Sequence, residues 1–248
     1  MTVQTASAVG AALVALAFCF STFERWLARR QRHELAWSGA LALFALASGT
    51  LAAGAAGGWN GPAFRLFYLF GAIANVPFLA VGTVYLLAGR RAGDRAGLGV
   101  CLFAAFAAGV VAIAPFRAPI PHGHLPQGSA VFGPLPRVLA GVASGGGALV
   151  VLAGAVWSAW RVRRGPMAIA NGLIALGTLV TGASGLLNSV VNAMTAFSVT
   201  LLVGITVIFA GFLVAATAPA PVSRAPDLPA PGDAAASPPI RMAVTGRR

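Results

Sequence analysis

The feature that most restricts this chain is the spacing of its charges, because Arg, Asp and Glu fall in short clusters separated by long uncharged stretches. A helix needs roughly 20 apolar residues, at about 1.5 Å each, to cross the hydrocarbon core of a bilayer. The uncharged runs 1–23, 35–64, 66–89, 96–116 and 138–160 each hold one such helix. The run 165–223 would extend roughly three membrane thicknesses as a single helix, so it has to fold back. Asn188, Ser189, Asn192 and Thr195 mark the place, since short polar side chains bond free backbone groups in turns. The expected spans are therefore 4–23, 35–55, 66–88, 96–115, 138–160, 167–191 and 196–216. The resulting fold class is an all-α bundle of seven transmembrane helices, occupying residues 1–216.

Composition agrees with lipid as the solvent. Hydrophobic residues make up 58% of the chain and charged ones 9%, too few to wrap a globular domain in water. The formal charge of +12 comes from 17 arginines and no lysine. None of them lies in an aromatic-interleaved patch of the kind that stacks bases, so nucleic acid is not an expected partner. The arginines instead sort by side. Fourteen fall in alternate connections and the C-terminal tail, and only Arg65, Arg117 and Arg137 fall on the other side. Basic residues are retained on the cytoplasmic face, which puts the N-terminus outside, the C-terminus inside, and the protein in a cytoplasmic (inner) membrane as a multi-pass protein. The tail joins the basic side only if the number of crossings is odd.

Residues 1–23 carry no Lys or Arg, so they lack the basic start of a signal peptide and are expected to stay attached as the first span. Cys19 and Cys101 fall within apolar runs and read as packing residues, with no disulfide framework indicated. The loop 115–136 has six prolines in 22 residues and is expected to form an extended outer strap. His122 and His124 in that loop could ligate copper or zinc, but no Cys, Asp or Glu lies there to complete a site. Residues 217–248 are rich in Pro and Ala and poor in large apolar side chains, the composition of a disordered cytoplasmic tail. Trp26 and Trp37 flank the basic connector 24–34, an aromatic and arginine pairing suited to an interface anchor.

This inventory excludes much chemistry. Glu24, Glu34, Asp94, Asp227 and Asp233 all fall in loops or the tail, leaving no carboxylate expected inside the bundle for a proton relay or a hydrolase. Seven helices with an outer N-terminus invite comparison with microbial rhodopsins, whose retinal is held by a Schiff base to a lysine, and this chain has none. His33, His122 and His124 are all read as loop residues, so paired axial ligands for a membrane haem are missing. No catalytic residues, no cofactor and no enzymatic activity are expected.

Within the spans, the third helix aligns Tyr68, Gly71, Asn75, Phe78, Gly82 and Tyr85 at three- and four-residue spacing. Pro77 interrupts it, freeing the Ile73 carbonyl, with Asn75 close enough to help repair the gap. The sixth helix aligns Asn171, Thr178, Thr181, Gly185, Asn188 and Asn192, while the fifth and seventh carry glycines that let backbones approach. One reading is that these polar groups bond across packed helices. The other is that Tyr68, Asn75, Tyr85, Asn171, Thr178, Thr181 and Asn188 line a pocket for a small neutral or lipid-like molecule.

With its Phe23-Glu-Arg-Trp26 junction and its Asn75-Val-Pro77 helix ending in Leu87-Ala-Gly-Arg-Arg91, the chain resembles uncharacterised seven-helix membrane proteins of high-GC actinobacteria over residues 1–216. That resemblance implies the fold and transfers no activity or site residue. The expected function is a carrier or binding protein for a small neutral or lipid-like ligand, with a structural or assembly subunit of a membrane complex as the alternative.

Overall fold

The computed structural model describes residues 2–161, 166–191 and 194–217, and everything regular among them is helical. The long helices are α1 (Val3–Arg29), α2 (Arg32–Gly57), α4 (Asn75–Ile113), α6 (Pro134–Arg161), α7 (Pro166–Val191) and α8 (Met194–Thr217). The short ones are α3 (Gly61–Phe67) and α5 (Gly128–Val131), and a π-helical segment, Tyr68–Ala74, joins α3 to α4. Thr217, the first residue of the expected tail, ends α8, and the rest of that tail lies outside the described residues. Five of these helical runs are long and apolar enough to cross a membrane: α1, α2, the continuous run Gly61–Ile113, and most of α6 and α8. The described apolar stretch of α7, Gly172–Gly182, is shorter.

Each helix starts and stops for a local reason. Thr2 caps α1 by accepting the Thr5 N–H at 3.3 Å, and Asn60 caps α3 by accepting the Ala63 N–H at 2.9 Å, each satisfying a donor with no intrahelical partner. Gly58 ends α2 with φ 87°, a conformation that costs glycine little. Gly89 is the decisive break, at φ 80° and ψ −177°. Tyr85 Oη donates to Asp94 at 2.8 Å, and Val81 Cγ1 lies 3.6 Å from where a Cβ on Gly97 would stand. In a straight helix Val81 and Gly97 would be about 24 Å apart, so the run 61–113 is two antiparallel helices folded at a single residue. The basic loop expected between these spans is therefore absent: Arg90, Arg91, Asp94 and Arg95 already belong to the second helix.

The long helices close into a ring, with α1 on α2, α2 and α6 on α4, α7 on α6, and α8 on both α7 and α1. Contacts fix the directions. At one end Gln4 Nε2 donates to Thr195 Oγ1 at 2.9 Å and Ser7 to Ser198 at 3.0 Å, while at the other Arg25 lies 4.5 Å over the Phe212 ring, so α1 and α8 are parallel. Ala47 faces Gly71 and Trp37 faces Gly82, which makes α2 antiparallel to the first arm of the Gly89 hairpin. The helix α6 runs parallel to that arm, with Ser144 at Ala72, Gly147 at Val76 and Gly154 at Thr83.

The core is apolar and aromatic, with Phe18 packed at a tilt between Phe209 and Phe212 at ring separations of 5.0 and 4.6 Å. Large apolar side chains such as Phe20, Leu98, Leu102, Val142, Leu149 and Leu176 are exposed on the outside of the ring. A surface of that kind belongs against hydrocarbon, where helices also keep every backbone group bonded.

The loop 114–133 caps the end at which α1 and α8 begin, as the strap anticipated from its prolines. Phe132 and Leu125 are buried in it, and the Leu125 N–H reaches Met194 Sδ at 3.2 Å. Arg65 donates to the carbonyls of Val111 and Ala114 and stacks 4.2 Å over Phe116, tying the strap to α3. The indole N–H of Trp59, 1% exposed beneath this cap, has no hydrogen-bond partner among the described residues.

Candidate functional site

Among the described residues, those singled out from the sequence are not gathered around one space. Tyr68 is buried against Phe64 and Phe132, with ring separations of 5.8 and 4.9 Å, under the strap. Tyr85 sits roughly 25 Å away along the helix, bonded to Asp94 beside the Gly89 turn. Asn75 is half-buried between them, and its side chain makes no hydrogen bond among the described residues. Thr178 donates to the Ile174 carbonyl at 2.7 Å and Thr181 to the Gly177 carbonyl at 2.8 Å, so each satisfies its hydroxyl on its own helix. The side chains of Asn171 and Asn188, and all of Asn192, lie outside the described residues. His122 and His124 are exposed on the strap, and among the described residues no three His, Cys, Asp or Glu side chains cluster as metal ligands do.

The π-helical turn accounts for the scatter in the third span. A π-turn holds more residues than an α-turn, so seven of them rotate the rest of the helix and take Tyr68 off the face that carries Tyr85. It also moves the expected repair at Pro77. The Asn75 N–H bonds Phe70, five residues back, and the same register at residue 77 would leave Ala72 without a donor, because proline has no N–H. Ser144 of α6 supplies it, donating to the Ala72 carbonyl at 2.6 Å. Neither Ile73 nor Asn75 carries the repair foreseen from the α-helical period.

Where the hairpin arms splay around Pro77, a cleft of about 260 Å³ opens between them and α6. Val81 and Val84 line it from one arm, Val100 and Phe103 from the other, and Val142 and Gly146 from α6. Its walls are hydrocarbon, and exposed neighbours such as Leu102 and Val150 continue them outward. Gly147 explains how α6 comes so close: a Cβ there would lie 3.0 Å from the Val76 carbonyl oxygen. A site of this make-up can hold an acyl chain or a similar apolar body, and offers no polar group for catalysis.

The seam between α7 and α8 is closed by the same device. A methyl on Gly177 would lie 2.7 Å from the Gly204 carbonyl oxygen, and one on Gly211 would lie 2.8 Å from that of Ala170. Thr181 packs directly on Gly204.

One charged pair contradicts the sequence reading. Glu34, expected in a solvated loop, is in the first turn of α2 and is 0% exposed. The turn between α1 and α2 is only Arg30 and Gln31, so both helices extend into the connector and carry the carboxylate inward. Arg25 Nη2 stands 2.9 Å from Glu34 Oε1, and His33 Nε2 stands 3.7 Å from it. Close as it is, the arginine approach is off-line, and neither carboxylate oxygen receives a hydrogen bond among the described residues. His33 likewise belongs to α2, set edge-on to Trp37 at 5.1 Å. The sequence held one clue, an Arg and a Glu flanking a turn too short to keep them apart.

No protein-family model, no curated protein and no solved structure matches the chain.

Proposed function

We propose that this chain crosses a cytoplasmic membrane seven times, with its N-terminus outside, and binds a small lipid-like molecule as a carrier or binding protein rather than an enzyme. The observation that carries the ligand reading is the cleft beside Pro77. It is lined by aliphatic and aromatic carbon and opens sideways among exposed apolar residues, so a molecule dissolved in the bilayer enters it without leaving hydrocarbon. The topology has separate support. The parallel pairing of α1 with α8 sets Val3 and Thr217 at opposite ends, as an odd number of crossings requires. The Gly89 fold turns one long run into two crossings, and α7 supplies the seventh.

Native mass spectrometry of the full chain, released from nanodiscs, tests the ligand reading. The wild type is expected to retain an apolar adduct, and Val84→Phe and Val142→Phe, which crowd the cleft from opposite walls, to lose it. An adduct kept by both variants, or absent from the wild type, overturns the site. Cysteine labelling at Gly57 and at Ala220 from either side of intact cells tests the crossings. Labelling of both from the same side overturns them.

A further inference from the structure

A second cleft, about 380 Å³, lies at the tip of the hairpin, between the α1–α2 turn and the Gly89 turn. Its lining is of a different chemistry: Arg30, Gln31, Arg32 and His33 from one side, and Tyr85, Leu86 and Arg90 from the other. We propose that this cleft is a binding site for a phosphate group, presented by the headgroup of an anionic lipid.

Charge makes the first part of the case. Arg32 pairs with Asp94, and Arg90 Nε stands 3.9 Å from the same carboxylate. Arg30 lies 5.0 Å over the Trp26 ring and has no carboxylate partner among the described residues. Three guanidiniums therefore face one carboxylate, leaving two positive charges, and Glu34 cannot offset them because Arg25 already holds it. Guanidinium forks match phosphate oxygens in pairs, which a point charge does not.

Position makes the second part. Arg30 is the one residue other than glycine with positive φ among the described residues, at 53°, and its backbone N–H closes α1 on the Trp26 carbonyl at 2.7 Å. The turn is thereby held in one shape, with the four consecutive residues Arg30 to His33 lining the cleft on the side opposite Arg90. Leu86 and Leu87 are 53% and 45% exposed beside it, so the cleft borders the apolar outer wall, as a headgroup site has to and a site for a soluble anion does not. The proposal rests on the membrane placement above but not on the apolar cleft.

The test is lipid retention by the full chain in nanodiscs of phosphatidylcholine containing phosphatidylglycerol, read by native mass spectrometry. The wild type is expected to retain phosphatidylglycerol over phosphatidylcholine. Arg30→Gln/Arg90→Gln should reduce that preference by about 100-fold or more, roughly tenfold or more for each charge-assisted contact to the phosphate. Arg30→Lys/Arg90→Lys, which keeps charge and loses the fork, should fall between. Arg91→Gln/Arg95→Gln removes equal charge outside the cleft and should lose only the diffuse attraction of two surface arginines, no more than about 30-fold. Equal losses from both glutamine pairs would mean diffuse attraction and overturn the site. Inorganic phosphate added to pure phosphatidylcholine nanodiscs forms the other arm, and binding there with no phosphatidylglycerol preference overturns the headgroup source. An apolar adduct kept by Val84→Phe and Val142→Phe, with the phosphatidylglycerol preference intact, would be failure of the apolar site and not of this one.

Discussion

Removing Arg25 should destabilise this protein far more than removing any exposed arginine, because it strands a buried carboxylate. Arg25 Nη2 is 2.9 Å from Glu34 Oε1, where unit charges attract by about 6 kcal/mol at an effective dielectric of roughly 20. Breaking a buried pair from one side typically costs about 3–5 kcal/mol. Arg25 retains 29% exposure, so solvent screens the pair and the lower end of that range applies, about 3 kcal/mol for Arg25→Met. The carboxylate oxygens gain no hydrogen bond from this arginine, so the pair recovers its desolvation cost poorly. Replacing both members with apolar side chains, Arg25→Met/Glu34→Leu, should then restore wild-type stability or exceed it by about 1 kcal/mol. Reversible unfolding in mild detergent, followed by tryptophan fluorescence, measures all three proteins against the exposed control Arg91→Gln. The reasoning fails if Arg25→Met costs no more than the control, or if the double variant is as unstable as the single one.

Other substitutions report on the packing. Ser144→Ala should cost about 0.6–1.7 kcal/mol by leaving the Ala72 carbonyl unbonded in lipid, read as a lower melting temperature in detergent. Gly204→Ala pushes a methyl onto Thr181 and should cost about 1–3 kcal/mol, whereas Gly182→Ala, with open space around it, should be neutral or stabilising in the same assay. Gly89→Ala places a side chain at φ 80° and ψ −177° and should cost about 1–3 kcal/mol. A disulfide between Val81→Cys and Gly97→Cys, read as a gel shift on oxidation, should form readily in the folded hairpin and fail to form if the run 61–113 is straight.

What the sequence by itself determined is the solvent and the elements. Runs such as 35–55 and 138–160 are too apolar to face water, and each became a helix within a few residues of its expected ends. The strap was legible in part: the segment is non-helical through Gln127 as its prolines require, but Gly128–Val131 is a short helix and Pro134 and Pro136 stand in the first turn of α6. The side-chain constellations were not. A helical wheel assumes a constant 3.6 residues per turn, and the π-turn at Tyr68–Ala74 breaks that assumption in the middle of the stripe thought to line a pocket. Burial of Glu34 depends on how tightly α1 turns into α2, at which the Arg and Glu flanking the turn only hinted, and on where Phe212 arrives from α8. Both clefts likewise lie between segments distant in sequence, the apolar one between two hairpin arms and α6, the basic one between two turns. Hydrophobicity is a property of each residue and can be read along the chain. A site is a property of distances between residues, and here those distances were set by one glycine fold, one widened helical turn and the order in which the helices close their ring.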